Sequence, residues 1–402
     1  MNKFIFKYRF QLFTILIFII LISIIELIFY FKFENEFGKL GYSKEHLSKG
    51  RVKDSPYCVY EPITNTINLK AKYRQNNYGF RNEYDIDLLK DTNEYRIFIL
   101  GASGAFGQGS MRQFIYITGQ DEYPTKYTIS SFLEKKLKQN YPYKNIKVLN
   151  AAVSGYALCQ EYSYYMSLIR KLDPDLIILI DGYNDMCFSI NNYKYRYDIV
   201  SKAWENHTYK KNFAYKTGMY LMSKSFTLFY FGKNLFTSKY KYNEKIYTEF
   251  LNKKIKINKQ ELKAIFNKYK NNIEKYVDDI FVLYEMFNKT ADTDSINIMF
   301  CPQPLLSLKP QKTDIEKACC NYLFHWKNSV ETKLASFDLY EYYLNRYDNW
   351  AESKNACYIN LQRVVNDYPE QIFLDYCHLT FYGNEVVADT ICNKIISEKI
   401  LE

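Results

Sequence analysis

The 402-residue chain has 48% hydrophobic and 24% charged residues, so it can form a large packed core and is not a disordered protein. Its formal net charge of +10 comes from basic residues spread along the sequence, without the basic block or zinc-finger spacing of a nucleic-acid-binding protein. Its nine cysteines include no CxxC pair. We therefore predict no metal site, no redox motif and no cofactor.

The first predicted element is an apolar helix near the N-terminus. After a short tail of residues 1–9, residues 10–31 are nearly all apolar, with Glu26 as the one acid. About 22 residues of helix span roughly 33 Å, enough to cross the hydrocarbon core of a bilayer. Bulky residues follow Glu26, which favours a single-pass membrane anchor over a cleaved signal peptide, although the flanking charges do not decide sidedness. We interpret Glu26 as a carboxylate that reaches the interface, with contact to a partner helix as the alternative.

After a juxtamembrane linker of residues 32–94, a domain over residues 95–402 alternates apolar strands with amphipathic helices. The five predicted strands are residues 95–100, 146–149, 176–180, 296–300 and 358–361. Strands this apolar are usually buried on both faces, and strands alternating with helices are typical of a parallel sheet between helical layers. The pattern predicts an α/β fold with a five-stranded parallel sheet.

The alternation stops between about residues 188 and 290, where we predict a helical insertion. A long amphipathic helix begins there, with Asn258 as its N-cap and Glu261 three residues later. Its apolar stripe is typical of a helix packed on a core. The apolar run 226–231 is too short to cross a membrane, so we expect it to pack on the domain, with contact at a membrane interface as the alternative.

A serine and a carboxylate–imidazole pair could together supply acyl-transfer chemistry. Ser103 directly follows the first predicted strand, in LGASGAFG, where an open α/β sheet presents ligands. Asp375 stands three residues before His378, near enough to orient the imidazole as a general base. Taken alone, the serine turn is more simply a tight turn and the pair a chance spacing.

Two further polar groups follow the next strands. Gly155 comes after the second strand, in NAAVSGY, and Asn184 after the third, in DGYND. A glycine N–H and an amide side chain at neighbouring strand ends can both donate to a developing oxyanion. Each residue by itself is more often part of a turn. Their joint order along the chain is the stronger signal.

That order resembles the SGNH (GDSL) hydrolase superfamily, whose fold is a flavodoxin-like three-layer α/β/α sandwich. The resemblance implies that Ser103 attacks an ester carbonyl, that His378 acts as general base and then acid, and that Asp375 orients His378. It also implies an oxyanion hole formed by the Ser103 and Gly155 N–H groups and the Asn184 side chain.

Two other segments resemble membrane-anchored bacterial members of the superfamily: NNYGFR at residues 76–81, and the step from Gln303 to Pro304 after the fourth strand. The chain departs from the family at one position, because the usual Gly-Asp-Ser is Gly101-Ala102-Ser103 here. This departure bears on the subfamily and the substrate more than on the triad.

The resemblance predicts a serine esterase that removes O-acyl or O-acetyl groups from a cell-envelope carbohydrate, with its domain outside the cytoplasm. One alternative is an O-acetyltransferase of surface polysaccharide, because the same acyl-enzyme can pass its acyl group to a sugar hydroxyl. Another is a non-catalytic, membrane-tethered glycan-binding or scaffold protein. The sequence does not predict the oligomeric state.

Overall fold

The computed structural model describes residues 2–36, 52–68, 73–111, 114–120, 123–190, 217, 220–222, 224–235, 241–253, 258–326 and 337–402. The chain divides into two units by its internal contacts. The first unit comprises residues 1–51 and 208–238, and the second comprises residues 52–207 and 239–402.

The helices and strands alternate through most of the second unit. The helices are α1 (Asn2–Glu36), α2 (Ser103–Phe106), α3 (Ile115–Thr118), α4 (Ile129–Asn140), α5 (Leu158–Ser167), α6 (Tyr183–Ile190), α7 (Phe226–Leu235), α8 (Glu244–Asn252), α9 (Lys259–Thr293), α10 (Asp314–Trp326), α11 (Asp338–Lys354), α12 (Leu361–Asn366) and α13 (Phe381–Ser397). The strands are β1 (Val52–Ser55), β2 (Val59–Pro62), β3 (Thr66–Asn68), β4 (Tyr73–Gln75), β5 (Glu94–Gly101), β6 (Asn145–Asn150), β7 (Leu176–Asp181) and β8 (Asn297–Pro302).

Among the described residues, the first unit contains helices α1 and α7. Helix α1 contains the apolar stretch Tyr8–Glu36, whose 29 residues have a mean hydropathy of 3.0 over their most apolar window. It is long and apolar enough to cross a membrane, although a signal sequence near an N-terminus has the same character. The run 226–231 lies in α7 and contacts α1 within this unit, a contact that the sequence did not predict.

A parallel sheet in the order β6-β5-β7-β8 forms the centre of the second unit. All six residues of β7 are buried, as expected for a strand covered on both faces. Crossovers between parallel strands are almost always right-handed, and the chain moves in opposite directions from β5 to β6 and from β6 to β7, so we expect α4 and α5 on opposite faces of the sheet. Helix α13 packs beside α4, and α9 packs beside α5. The second unit is therefore an α/β fold, with helices packed along a central parallel sheet.

The predicted fifth strand is wrong, because the parallel sheet has four strands among the described residues. Residues 358–361 contribute one parallel bridge, between Tyr358 and Phe300. The side chain of Asn360 accepts a hydrogen bond from the Arg363 N–H and caps α12, which begins at Leu361. The extended segment thus ends after a single bridge, because the chain turns into a helix.

The second unit also contains two antiparallel hairpins, β1–β2 and β3–β4, that precede the sheet. In the inserted region, α9 begins where the sequence places it, since the Asn258 side chain accepts from the Glu261 N–H at 3.2 Å. Helix α9 buries one stripe, including Val277, Ile280 and Tyr284. The insertion therefore adds a helix to the core of the second unit.

Candidate active site

Ser103 stands where strand β5 turns into helix α2. The turn needs glycine at position 101, because φ is +146° there and a Cβ would lie 2.2 Å from the Ile180 carbonyl oxygen. Ser103 is the first residue of α2, so its N–H belongs to the helix-start groups that have no intrahelical acceptor. The hydroxyl and this N–H lie at the carboxyl end of the central strands.

The structure brings Ser103, His378 and Asp375 within hydrogen-bond distance of one another. The Ser103 Oγ lies 2.8 Å from His378 Nε2. On the other side of the ring, Nδ1 lies 2.8 Å from Asp375 Oδ2 and 3.0 Å from Oδ1. Asp375 and His378 are buried while Ser103 is half-buried. This is the order of nucleophile, base and orienting acid that acyl transfer requires.

The surroundings of Asp375 keep it ionised. It accepts backbone N–H groups from Met111 at 2.9 Å, Cys377 at 3.0 Å and His378 at 2.9 Å. Burial alone would raise the pKa of Asp375, but the charge of His378 and these hydrogen bonds hold the pKa below its ordinary value. An ionised Asp375 assigns the proton of neutral His378 to Nδ1, so the Nε2 lone pair faces the Ser103 hydroxyl.

Cys377 lies beside the same ring, with its Sγ 3.8 Å from His378 Nδ1. Asp375, Cys377 and His378 are close enough to hold a metal ion by composition and distance. However, both carboxylate oxygens already accept backbone N–H groups, and Nδ1 faces the carboxylate. The arrangement fits an oriented imidazole better than a metal centre.

The loops that bear Ser103, Gly155 and Asn184 are joined by hydrogen bonds. The Asn184 side chain donates to the Tyr156 carbonyl at 2.7 Å, which leaves the second hydrogen of its amide for another acceptor. Gly155 is exposed in a turn with φ of +88°. Ser154 donates to the Gln108 side chain at 2.9 Å, and the Gln108 N–H donates to the Ser103 carbonyl at 3.0 Å. The three strand ends are thereby drawn together.

Tyr60, on β2, contacts this turn and was not singled out from the sequence. Its hydroxyl donates to the Ser154 carbonyl at 3.1 Å. A Cβ at position 155 would lie 2.8 Å from the same hydroxyl, so a larger residue there would push Tyr60 away. The hairpin before the sheet therefore shapes the Gly155 turn.

Arg81 is a second residue to which the sequence assigned no role. It is the last residue of NNYGFR, is buried, and donates to the Phe106 carbonyl at 2.9 Å and the Gly107 carbonyl at 2.7 Å. Its guanidinium also bonds the Tyr123 carbonyl. A cation is favourable at a helix C-terminus, where carbonyls lack partners. Arg81 thus secures the end of α2 opposite Ser103.

Gln303 joins the end of strand β7 to the Asp375–His378 loop and lies close to Gly104 of the Ser103 helix. Its side chain donates to the Cys377 carbonyl at 2.9 Å, and its own N–H donates to the Asp181 carbonyl at 2.8 Å. Gly104 leaves room for this amide, because a Cβ at that position would lie 2.6 Å from Gln303 Nε2. The sequence pointed to Gln303 only through the resemblance to the SGNH superfamily.

Three buried acids, Glu161, Asp181 and Asp185, surround the start of α6. Asp181 accepts from the Tyr284 hydroxyl at 2.8 Å, but its second oxygen and both Glu161 oxygens have no hydrogen-bond partner among the described residues. Burial and the charges of the neighbouring acids raise the pKa of both Glu161 and Asp181 well above the ordinary range. Burial therefore favours the protonated form of these carboxyl groups.

No protein-family model matches the sequence, and no curated protein matches it. Similar solved structures include an α/β hydrolase from the metagenome of Lake Arreo, Spain, at 13% identity and a TM-score of 0.35, covering 76% of this chain and 96% of that one. An acetyl xylan esterase has 12% identity and a TM-score of 0.37, covering 75% and 99%. The acetylxylan esterase Axe2 from Geobacillus stearothermophilus has 11% identity and a TM-score of 0.37, covering 75% and 94%. Likenesses this distant carry no argument about the reaction or the substrate.

Proposed function

We propose that the protein is a serine esterase of the SGNH type that hydrolyses O-acyl esters through an acyl-enzyme on Ser103. The observation that carries the proposal is the pair of 2.8 Å contacts that joins Ser103 Oγ to His378 Nε2 and His378 Nδ1 to Asp375. A half-buried hydroxyl beside a buried, oriented imidazole is the geometry of an activated nucleophile.

In the first half of the reaction, the Ser103 oxygen bonds to the ester carbonyl carbon and its proton passes to His378 Nε2. The carbonyl oxygen takes the negative charge of the tetrahedral intermediate. When the intermediate collapses, the carbon–oxygen bond to the alcohol breaks and His378 gives its proton to the departing alkoxide. In the second half, water bonds to the acyl carbon and its proton passes to His378 Nε2. The bond between that carbon and the Ser103 oxygen then breaks, His378 returns the proton to Ser103, and the free acid leaves.

The proposed oxyanion hole consists of the Ser103 N–H, the Gly155 N–H and the Asn184 side chain. Three observations support it. The Ser103 N–H has no intrahelical acceptor at the start of α2, the Gly155 turn is exposed, and one amide hydrogen of Asn184 remains after its bond to the Tyr156 carbonyl. Donors held in place before the reaction stabilise charge at little reorganisation cost.

The substrate that we propose is an O-acetylated carbohydrate of the cell envelope, with helix α1 as the membrane anchor and the second unit outside the cytoplasm. The length and hydropathy of α1 and the motif resemblance support this assignment. Hydrolase and O-acetyltransferase share the acyl-enzyme and differ only in which acceptor, water or a sugar hydroxyl, attacks it.

A fluorophosphonate probe tests the enzyme assignment on the full-length protein in detergent. We expect covalent labelling that disappears in Ser103→Ala, because only an activated serine reacts. Absence of labelling in folded wild-type protein would favour a non-catalytic glycan-binding protein. Incubation with an acetylated oligosaccharide, with and without an unacetylated acceptor sugar, then separates the two reactions. Free acetate as the main product in both mixtures identifies a hydrolase, and acetylated acceptor identifies a transferase.

A further inference from the structure

Glu26 of helix α1 is bonded to the start of helix α7. Its carboxylate accepts from the Ser225 hydroxyl at 2.8 Å, from the Thr227 N–H at 3.1 Å and from the Phe226 N–H. These N–H groups stand at a helix start, where they have no intrahelical acceptor and favour a negative charge. The structure therefore shows Glu26 in contact with another helix, α7. The carboxylate thus acts as the N-cap of a helix about 200 residues further along the chain.

Aromatic rings continue the contact along α1. Phe33 lies 5.3 Å from Phe226 and 5.9 Å from Phe229, and Phe29 stacks on Tyr230 at 5.2 Å between ring centroids. The Tyr230 hydroxyl donates to Glu36 at 2.8 Å. From residue 26 to residue 36, α1 rises about 15 Å, which is also the length of the ten-residue α7. The two helices are therefore held together along the first part of α7, from its start to Phe231.

The position of Glu26 gives the depth of α7 in a bilayer. Glu26 lies within the apolar span 10–31, five residues from its end, which corresponds to about 7.5 Å of helix. The start of α7 is bonded at that level. Leu228 and Phe231 are 45% and 67% exposed on α7, as are many apolar side chains of α1. Helices that lie in the interface bury their apolar side chains to roughly 5–10 Å.

The alternative is a carboxylate in an apolar span with no partner, which is unfavourable in a bilayer. The donors of α7 remove that cost, and Glu26 in turn satisfies N–H groups that could find no water at that depth. The N–H groups at the start of α7 thus account for a carboxylate within the apolar span, and the Glu26 carboxylate accounts for a helix start at that depth. These hydrogen bonds would be lost if α1 were cleaved as a signal peptide.

We propose that α7 is a second membrane-embedded element of this protein, seated on the retained anchor α1 by Glu26, with Leu228 and Phe231 in contact with lipid acyl chains. The inserted segment then binds the membrane next to the anchor. The proposal does not depend on the catalytic activity of Ser103.

A phospholipid with a photoactivatable diazirine in its acyl chain tests this directly. The full-length protein is reconstituted in phosphatidylcholine–phosphatidylglycerol vesicles with this lipid, irradiated and digested, and labelled peptides are identified by mass spectrometry. We expect label on peptides from residues 220–235 as well as from residues 10–31. In Glu26→Leu, label on residues 220–235 should fall by about fivefold or more while label on residues 10–31 persists, because the charge-assisted cap is lost. Glu34→Leu, which changes another acid of the same helix, is the matched control and should leave both signals unchanged.

Label confined to residues 10–31 in the wild type would overturn the proposal without recourse to any variant. Unchanged labelling of residues 220–235 in Glu26→Leu would also overturn it, since Glu26 would not then seat the helix. A purified protein whose N-terminus begins after residue 31 would show that α1 is not retained.

Discussion

Replacing Asp375 by asparagine tests the proposed chemistry with the smallest change of shape. The Oδ1 atom accepts from the Cys377 and His378 backbone N–H groups, whereas Oδ2 accepts from Met111 and lies 2.8 Å from His378 Nδ1. An asparagine oxygen at the Oδ1 position keeps two of these bonds. Its NH₂ group then occupies the Oδ2 position, where it faces the Met111 N–H and the imidazole.

Two consequences follow from that orientation. The imidazole can accept from the new NH₂ group only if its proton moves from Nδ1 to Nε2, which leaves no lone pair for the Ser103 hydroxyl. The same change lowers kcat about 10⁴-fold in the Ser-His-Asp triad of a serine protease, and we expect a loss of that order here. The buried Met111 N–H loses its acceptor, so the free energy of unfolding should also fall by about 1–3 kcal/mol.

The assay is hydrolysis of p-nitrophenyl acetate by the full-length protein in detergent, together with a urea unfolding curve. Asp348→Asn is the matched control, because Asp348 also accepts several side-chain hydrogen bonds, from Tyr358, Asn360 and Arg363, but lies outside the site. It should keep its activity. A folded Asp375→Asn protein with a rate within about tenfold of the wild type would refute the proposed role of Asp375.

Three further changes probe other contacts. Asn184→Ala should lower ester turnover by about 10²–10³-fold with little loss of folding, because one proposed oxyanion donor is removed. Steady-state kinetics would measure this, and an unchanged rate would remove Asn184 from the proposed mechanism. Arg81→Lys should lower kcat by about 10- to 100-fold, because an ammonium cannot hold the Phe106 and Gly107 carbonyls in the same geometry. A kcat within about twofold of the wild type would contradict this role of Arg81. The raised pKa of Glu161 means that its stabilising neutral form is fully present below the ordinary pKa and is lost as the pH rises through the raised value. Glu161→Gln should therefore raise the melting temperature more at pH 8 than at pH 5, and an equal gain at both would argue against a buried proton.

The apolar strands were predictable because strands buried on both faces appear in the sequence as runs of aliphatic residues. Strands β5 to β8 lie within one or two residues of the predicted ranges. The placement of Ser103, Gly155 and Asn184 in loops after neighbouring strands followed from the same reasoning, since the carboxyl ends of parallel strands lie at one edge of the sheet. The predicted strand at residues 358–361 is wrong because the Asn360 side chain caps a helix that begins at Leu361, although the local sequence has β propensity.

The contacts that the sequence did not reveal join distant parts of the chain. Arg81 bonds the Phe106 carbonyl, and Glu26 bonds the Phe226 N–H. No local periodicity encodes either pairing, because each depends on how separate elements pack. The buried acids Glu161 and Asp181 were missed for a similar reason, since a charged residue in sequence gives no sign that tertiary packing will remove it from water.

The hairpins that precede the sheet decide how short a working fragment of this protein can be. Truncation at residue 95, where the first sheet strand was predicted, removes Tyr60 from the Gly155 turn and Arg81 from the end of α2. A fragment that starts at residue 52, the beginning of the second unit, keeps both residues. Library screens or expression trials that trim the chain to the central sheet would therefore remove the residues that contact the Gly155 turn and the end of the Ser103 helix.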